Sequence, residues 1–275
     1  MTAAPAFAKI NLALVVGPLR EDGKHEVVTV LQRIDLHDTI TLTAADELSV
    51  DGFAEDTVVT CALAKLAWSA GVKPGWHVHI EKRIPVAAGL GGGSSDAATA
   101  LVLANESLVE PLPADELQRL ASDVGSDVPF FLHSGAKLAT GDGGELASVE
   151  LPTGYVVVLV APHGATKDSS GAVYAEFDAR AGAAGFEARA TLVHDALGAI
   201  AAPLDLAALP PNDLASSPVA RELEALGAFR ADVSGAGPTV YGLFTTEAEA
   251  ESAAGRLTAL GRTVVARPVA AAGDA

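Results

Sequence analysis

Pro85-Val-Ala-Ala-Gly89-Leu-Gly91-Gly92-Gly93-Ser94-Ser95-Asp96-Ala-Ala-Thr99 is the stretch on which the fold turns. Four glycines, Gly89 and Gly91 to Gly93, leave the backbone bare. Bare backbone lets amide N–H groups come close to an anion. The Ala-rich run behind them, about Ser94 to Asn105, reads as a helix whose N-terminal dipole and unpaired N–H groups face the same place. Ser94 and Ser95 add hydroxyls, and either suits a helix cap. These parts describe a cradle for phosphate. It is not a Walker A loop, because no Lys precedes Ser94 or Ser95. The dinucleotide fingerprint fits poorly too. Ser94 stands where its third glycine belongs, and Lys82 to Ala88, with Pro85 inside, separates the glycines from the preceding strand.

Working outward, His77–Glu81 reads as the strand before the loop, and Asp56 to Ala70 as a helix with Val59, Leu63, Leu66 and Ala70 on one face and Gly71 as its stop. A further helix is expected near Ala114 to Asp123. Toward the N-terminus, Ala6 to Val16 reads as a strand, Arg20 to Gly23 as a turn, Glu26 to Asp35 as a second strand, and the alternation from Thr39 to Thr43 as a third. Pro152 and Gly154 mark a boundary, so the expected domains are 1–150 and 151–275. Beyond it come the apolar strand Tyr155–Val160, two or three helices between Ser170 and Leu226, strands near Phe229–Val233 and Thr239–Phe244, a helix near Glu247–Leu260 and a last strand near Thr263–Arg267. That order suits a helix-backed antiparallel sheet of ferredoxin-like type. The residues after Val269 read as a frayed tail, and Trp68 and Trp76 as packing residues.

Three polar features stand out. Gly125-Ser126-Asp127-Val128-Pro129-Phe130-Phe131 sets an acid before an apolar turn, where it is partly desolvated or serves as a helix cap. Lys9 interrupts an apolar strand; if it faces inward it needs a carboxylate, and Asp127 is a candidate. Ser234-Gly235-Ala236-Gly237-Pro238-Thr239 is a small-residue loop between two strands, suited to a plain connection or to close approach of a ligand or another backbone.

Composition narrows the partners. The 275 residues carry 18 Lys+Arg against 35 Asp+Glu, a formal net charge of −17, which argues against nucleic acid and anionic membranes but not against a small phosphorylated ligand. Cys61 is the single cysteine, so no intrachain disulfide or Cys-rich zinc site is expected. The N-terminus lacks a signal-peptide pattern and no apolar run spans a bilayer, so a soluble cytoplasmic protein is expected.

Taken together, the segments resemble the GHMP kinases, the superfamily of galactokinase, homoserine kinase and mevalonate kinase. The resemblance runs from about Lys9 to Phe244. It is carried by A-K-I-N-L (Ala8 to Leu12), D-G-K-H-E (Asp22 to Glu26), K-R-I-P (Lys82 to Pro85) leading into G-L-G-G-G-S-S, then G-S-D-V-P-F-F, P-N-D-L (Pro211 to Leu214) and S-G-A-G-P-T. It implies an α+β, two-domain GHMP kinase fold: an N-terminal mixed α/β domain with a left-handed-crossover-type sheet, and a C-terminal ferredoxin-like antiparallel sheet with helices.

The resemblance also implies an ATP-dependent kinase acting with Mg²⁺, whose metal ligands are unassigned beyond Ser95 as a hydroxyl within reach. Lys9 and Asp127 would be catalytic, Asp127 as base and Lys9 as its cation. Lys82 and Pro85, Val86, Ala87, Ala88, Gly89, Leu90, Gly91, Gly92, Gly93, Ser94 and Ser95 would bind the nucleotide. The His25 segment points to members that phosphorylate a cytidine diphosphate sugar alcohol, with Asn11, Lys24, His25 and Tyr174 as substrate contacts. Two departures are visible. Lys24 stands where relatives usually carry a stacking Tyr, leaving Tyr174 to stack on the base. Thr57 stands where they often carry Asn. A homoserine- or mevalonate-type kinase and a non-catalytic ATP-binding relative are the alternatives. The partners implied are small molecules only, in a monomer or homodimer.

Overall fold

A computed structural model of the chain describes residues 1–54, 56–164 and 169–271. In chain order the elements are β1 (Thr2–Leu19), β2 (His25–Ala44), β3 (Ser49–Asp51), α1 (Val58–Ser69), β4 (Trp76–Glu81), α2 (Gly92–Glu106), α3 (Ala114–Val124), α4 (Val128–Phe131), β5 (Ala136–Thr140), β6 (Glu145–Val149), β7 (Val156–Pro162), α5 (Ser170–Ala179), α6 (Phe186–Ala199), a 3₁₀ turn at Pro203–Ala208, α7 (Pro218–Ala225), β8 (Arg230–Val233), β9 (Val240–Phe244), α8 (Glu247–Leu257) and β10 (Gly261–Ala266).

Two compact units emerge. The first comprises Met1–Ala8, Leu36–Val86 and Gly91–Ser134; the second Lys9–Asp35, Ala87–Leu90 and Gly135–Ala275. In the first, the end of β2 pairs antiparallel with β4 (Thr39 opposite Glu81), and β3 pairs parallel with β4. Helix α1 buries Val59, Ala62, Leu63, Leu66 and Ala67, and the Asp56 carboxylate accepts from the N–H groups of Val59 and Thr60 at its start. Helix α2 packs against α1. Its alanines 97, 98, 100 and 104 are fully buried, and their small side chains permit close approach.

In the second unit, β5 pairs with the first half of β2 and with β6. A separate four-stranded antiparallel sheet has the order β10-β7-β9-β8. With helices between β7 and β8 and α8 between β9 and β10, this is the ferredoxin-like arrangement expected. Its core joins Val158, Val160, Leu223, Val240, Phe244 and Ala253.

The expected strands at 26–35 and 39–43 are one continuous strand. The stretch between them holds Asp35 and Asp38, and both have distant partners. The Asp35 N–H donates to the Arg267 carbonyl, and the Asp38 carboxylate accepts from Arg83 and Ile84 N–H groups. The β5–β6 hairpin was not anticipated, although Gly141-Asp142-Gly143-Gly144 is a hairpin-loop composition. Trp76 is buried, its indole N–H donating to Ser107. Trp68 is not a packing residue: it lies 88% exposed on α1, because the apolar stripe of that helix passes through Leu63, Leu66 and Ala67 instead. Of the expected tail, residues 272–275 lie outside the described residues.

Candidate active site

Helix α2 begins at Gly91, which sits in the left-handed region at φ 71°, and no side chain caps it. The first backbone bond into the helix runs from Ser95 N–H to the Gly91 carbonyl. The N–H groups of Gly92, Gly93 and Ser94 therefore have no intrahelical carbonyl to bind. Neither expected serine cap forms: Ser94 is half-buried and Ser95 is 1% exposed. An uncapped start with glycine at its mouth keeps three donors for an anion. Pro85 to Ala87 run at the surface, with Val86 59% exposed.

Within the second unit, the segment Ala87–Leu90 is held by hydrogen bonds to its carbonyls. Thr239 N–H donates to the Ala88 carbonyl, Lys9 N–H to the Leu90 carbonyl, and the Ser234 hydroxyl to the Gly89 carbonyl. Gly89 has φ 81°, and a Cβ there would stand 2.1 Å from the Ser234 carbonyl oxygen. The Ser234–Thr239 loop thus serves the close backbone approach its glycines allow. Gly89→Ala is expected to cost about 1–3 kcal/mol through left-handed strain and displacement of Ser234. A urea unfolding midpoint equal to the parent's would refute this.

Lys82 sits beneath the start of α2. Its ammonium lies 2.5 Å from Asp38 Oδ2 and 2.7 Å from Asp96 Oδ2, and 5.7 Å from the centre of the Phe53 ring. Asp38 is fully buried and Asp96 is 2% exposed, with Asp96 Oδ1 lacking a hydrogen-bond partner. Burial pushes the Asp96 carboxyl up to about 7, against the opposing pull of Lys82. The two acids hold Lys82 above its ordinary range despite its burial. Lys82 therefore braces the strand end against the helix, with its charge already met by two acids. Asp38 escaped the sequence reading; its signal was an acid within an otherwise strand-like run.

Lys9 faces inward, 3% exposed, and its ammonium donates to Asn11 Oδ1 at 2.6 Å. The Asn11 amide donates to Thr29 Oγ1, which in turn donates to the Ala13 carbonyl. A chain of buried polar groups so satisfied fixes the ammonium's direction. Asn11, expected as a substrate contact, is 5% exposed, and both ends of its side chain are engaged within the protein. A Cβ on Gly235 would stand 3.3 Å from Lys9 Nζ, so the second glycine loop lies directly over the ammonium.

Asp127 is half-buried at the N-cap position of α4, ahead of the buried Val128, Pro129 and Phe130. Its side chain makes no cap bond to that helix. The expectation of partial desolvation holds; a capping role does not.

His25 opens β2 and is 8% exposed. Its Nδ1 lies 2.9 Å from the Gly17 carbonyl oxygen. The Tyr174 ring of α5 stacks on it, centroids 5.0 Å apart at 25°, and Phe177 meets it edge-on at 5.9 Å. Asp178 Oδ2 stands 3.4 Å from Nε2. Lys24 turns to Asp142 in the β5–β6 loop, 2.5 Å away, so the structure brings His25 and Tyr174 together and directs the Lys24 ammonium elsewhere. Asp178 was not foreseen, though it lies four residues from Tyr174, on the same helical face.

Among the described residues no group of three or more His, Cys, Asp or Glu side chains forms a metal cage. A magnesium ion carried on substrate phosphates needs only one or two protein oxygens. Asp96, already bound to Lys82, and the buried Ser95 are poorly placed to supply them; the half-buried Ser94 hydroxyl fits better. Among the described residues no helix is long and apolar enough to cross a membrane.

The chain matches known proteins over most of its length. Residues 57–135 match the GHMP kinases N terminal domain and residues 188–263 the GHMP kinases C terminal domain. The chain is 40% identical to 4-diphosphocytidyl-2-C-methyl-D-erythritol kinase of Salinispora arenicola, over 92% of this chain and 86% of that one. It is 39% identical to the protein of the same name from Mycobacterium tuberculosis, over 93% and 86%. A crystal structure of 4-(cytidine 5'-diphospho)-2C-methyl-D-erythritol kinase superposes with a TM-score of 0.76 at 28% identity, covering 98% of this chain and 99% of that one.

Proposed function

The chain belongs to the GHMP kinase family, an ATP-dependent kinase of two-domain α+β fold, and from that we propose its reaction. It transfers the γ-phosphoryl group of ATP to the 2-hydroxyl of 4-diphosphocytidyl-2-C-methyl-D-erythritol, giving the 2-phosphate and ADP, a step of the non-mevalonate route to isoprenoid precursors. The observation that carries the reading is the uncapped glycine start of α2, a bed of amides suited to a triphosphate.

Phosphoryl transfer rests on positioning and charge stabilisation more than on covalent help from the protein. The Gly92, Gly93 and Ser94 amides take the phosphates. Asp127 accepts the proton leaving the substrate hydroxyl. Lys9, aimed by Asn11, supplies positive charge to the developing alkoxide. When bound, Mg²⁺ would offset charge on the phosphate oxygens, and the Ser94 hydroxyl would be the protein group at the loop to hold it. His25 meets the cytosine edge, Tyr174 stacks on the base, and the Lys24 stem, held by Asp142, gives a loose second cover. The enzyme would work in the cytoplasm, as a monomer or homodimer.

A coupled ADP-release assay tests the reading. ADP should form with ATP and the diphosphocytidyl substrate and not with homoserine or mevalonate. ADP release with either of those instead, or with no acceptor offered, would overturn it.

A further inference from the structure

We infer that Asn212 is a positioning residue for the reaction, the group that holds the Ser234–Gly237 loop closed over the Lys9 ammonium. This rests on the reading of Lys9 as the catalytic cation, and it gives the Pro211–Leu214 motif a task.

Asn212 follows the 3₁₀ turn and meets β1 through a single parallel bridge to Leu14. Its backbone is fixed on both sides. Its own N–H donates to Asp232 Oδ2 at 2.8 Å, and the Asp213 N–H donates to the Leu14 carbonyl at 2.9 Å. The half-buried side chain uses every hydrogen-bonding position an amide has. Nδ2 donates to the Val233 carbonyl at 2.9 Å and to the Gly235 carbonyl at 2.7 Å. Oδ1 accepts from the N–H groups of Leu214 at 2.8 Å and Ala215 at 3.4 Å. Asp has the same shape but no donor for the two carbonyls, and Ser or Thr has only one.

Those two carbonyls bracket Ser234. Val233 ends β8, and Gly235 is in the left-handed region at φ 57°. Asn212 therefore fixes the path on which the chain leaves β8 and turns across Lys9. A Cβ on Gly235 would stand 3.3 Å from Lys9 Nζ and 3.4 Å from Asn11 Oδ1, so the loop backbone closes one side of the ammonium and of the amide that aims it. The turn has bonds of its own: Ser234 N–H to the Thr239 carbonyl, Gly237 N–H to the Ser234 carbonyl, and the Ser234 hydroxyl to the Gly89 carbonyl. None of these engages the Gly235 carbonyl. A cation facing a developing alkoxide counts for most where water is kept out. An open loop hydrates the ammonium and loosens its direction, and the cost falls on the transition state more than on nucleotide binding. Asn212 acts through Gly235 rather than on the reacting atoms.

Amine labelling of the full-length protein decides the matter. The parent, Asn212→Ala and Asn212→Asp are treated with N-acetoxysuccinimide, and peptide mass spectrometry follows acetylation of Lys9 against the exposed Lys73. In the parent, Lys9 should react far more slowly than Lys73. In both variants the Lys9 rate should rise about tenfold or more, the effect of two lost hydrogen bonds on loop opening, with Lys73 unchanged. In the same preparations kcat should fall about tenfold to a hundredfold while KM for ATP stays within about threefold. Leu257→Ala, which truncates a buried side chain of α8 in the same unit, is the control: a lower urea midpoint, with Lys9 labelling and kcat as in the parent. Should the added carboxylate near Asp232 unfold Asn212→Asp, as circular dichroism would show, Asn212→Ala carries the test. Parent-like labelling of Lys9 in Asn212→Ala would reduce Asn212 to a structural residue and overturn the inference, as would parental Lys9 reacting as fast as Lys73. A parent-like kcat with Lys9 freely labelled would overturn it too. Turnover retained in Lys9→Ala would instead remove the reading of Lys9, and this inference with it.

Discussion

Asp127→Asn is expected to lower kcat by about 10²–10⁴-fold, the usual contribution of a positioned general base, with KM for ATP and for the acceptor changed far less. Asparagine keeps the shape and size of the side chain but cannot take the hydroxyl proton. The exchange removes no cap of α4, and the unfolding midpoint reports whether the fold is kept. That separates a chemical defect from a folding one. Lys9→Ala should also suppress turnover, with an added loss of stability, since it strips the donor from the buried Asn11 carbonyl oxygen. Turnover within a few-fold of the parent in purified Asp127→Asn would take this residue out of the mechanism.

Arg230→Met is expected to be the most destabilising single change, by about 3–5 kcal/mol. The guanidinium on β8 is 8% exposed and donates to the carbonyls of Leu12 and Leu209 at 2.6 Å each and of Pro210 at 2.9 Å. It also reaches the Tyr241 hydroxyl at 3.3 Å and lies 3.7 Å from Asp232. Methionine fills similar volume with no donor, so buried carbonyls of two separate segments, Leu12 and Leu209–Pro210, lose their partner at once. The Asp232 carboxyl, already raised by burial, loses a nearby positive charge as well. Urea unfolding should show a lower midpoint with little change in slope. Arg230→Lys should recover only part of the loss, because one ammonium cannot reproduce the planar fork. A midpoint shift worth less than about 1 kcal/mol in the methionine variant would show that water or backbone adjustment satisfies those carbonyls.

Much of the candidate site was legible in the chain because its chemistry is local. The glycines from 89 to 93 and the alanines behind them specify a turn, a bare helix start and a close-packed helix within about fifteen consecutive residues. Lys9 was legible as an anomaly, a cation in an apolar run, and His25 through its neighbours in a short motif. Asp38 and Asp178 were not, since an acid in a strand or on a helix face has no meaning until its partner is known. Lys82 shows the same limit from the other side. Its motif marks it as part of the nucleotide loop, yet two buried acids from distant positions claim its charge.

What the sequence by itself determined is the kind of molecule: an α+β kinase of the GHMP family, its phosphate loop, its ferredoxin-like second half and its candidate base and cation. The loop and the second half follow from short-range patterns of residue size, polarity and backbone freedom; the family and the candidate base and cation follow from the resemblance of short motifs to the GHMP kinases. Only the tertiary structure decided that β2 runs unbroken, that Trp68 faces water, that Asn11 aims Lys9, and that Asp178 lies beside His25. Those outcomes depend on which far-off group satisfies a buried donor, acceptor or charge. Such pairing is set by how the chain closes on itself, and no stretch of neighbouring residues records it.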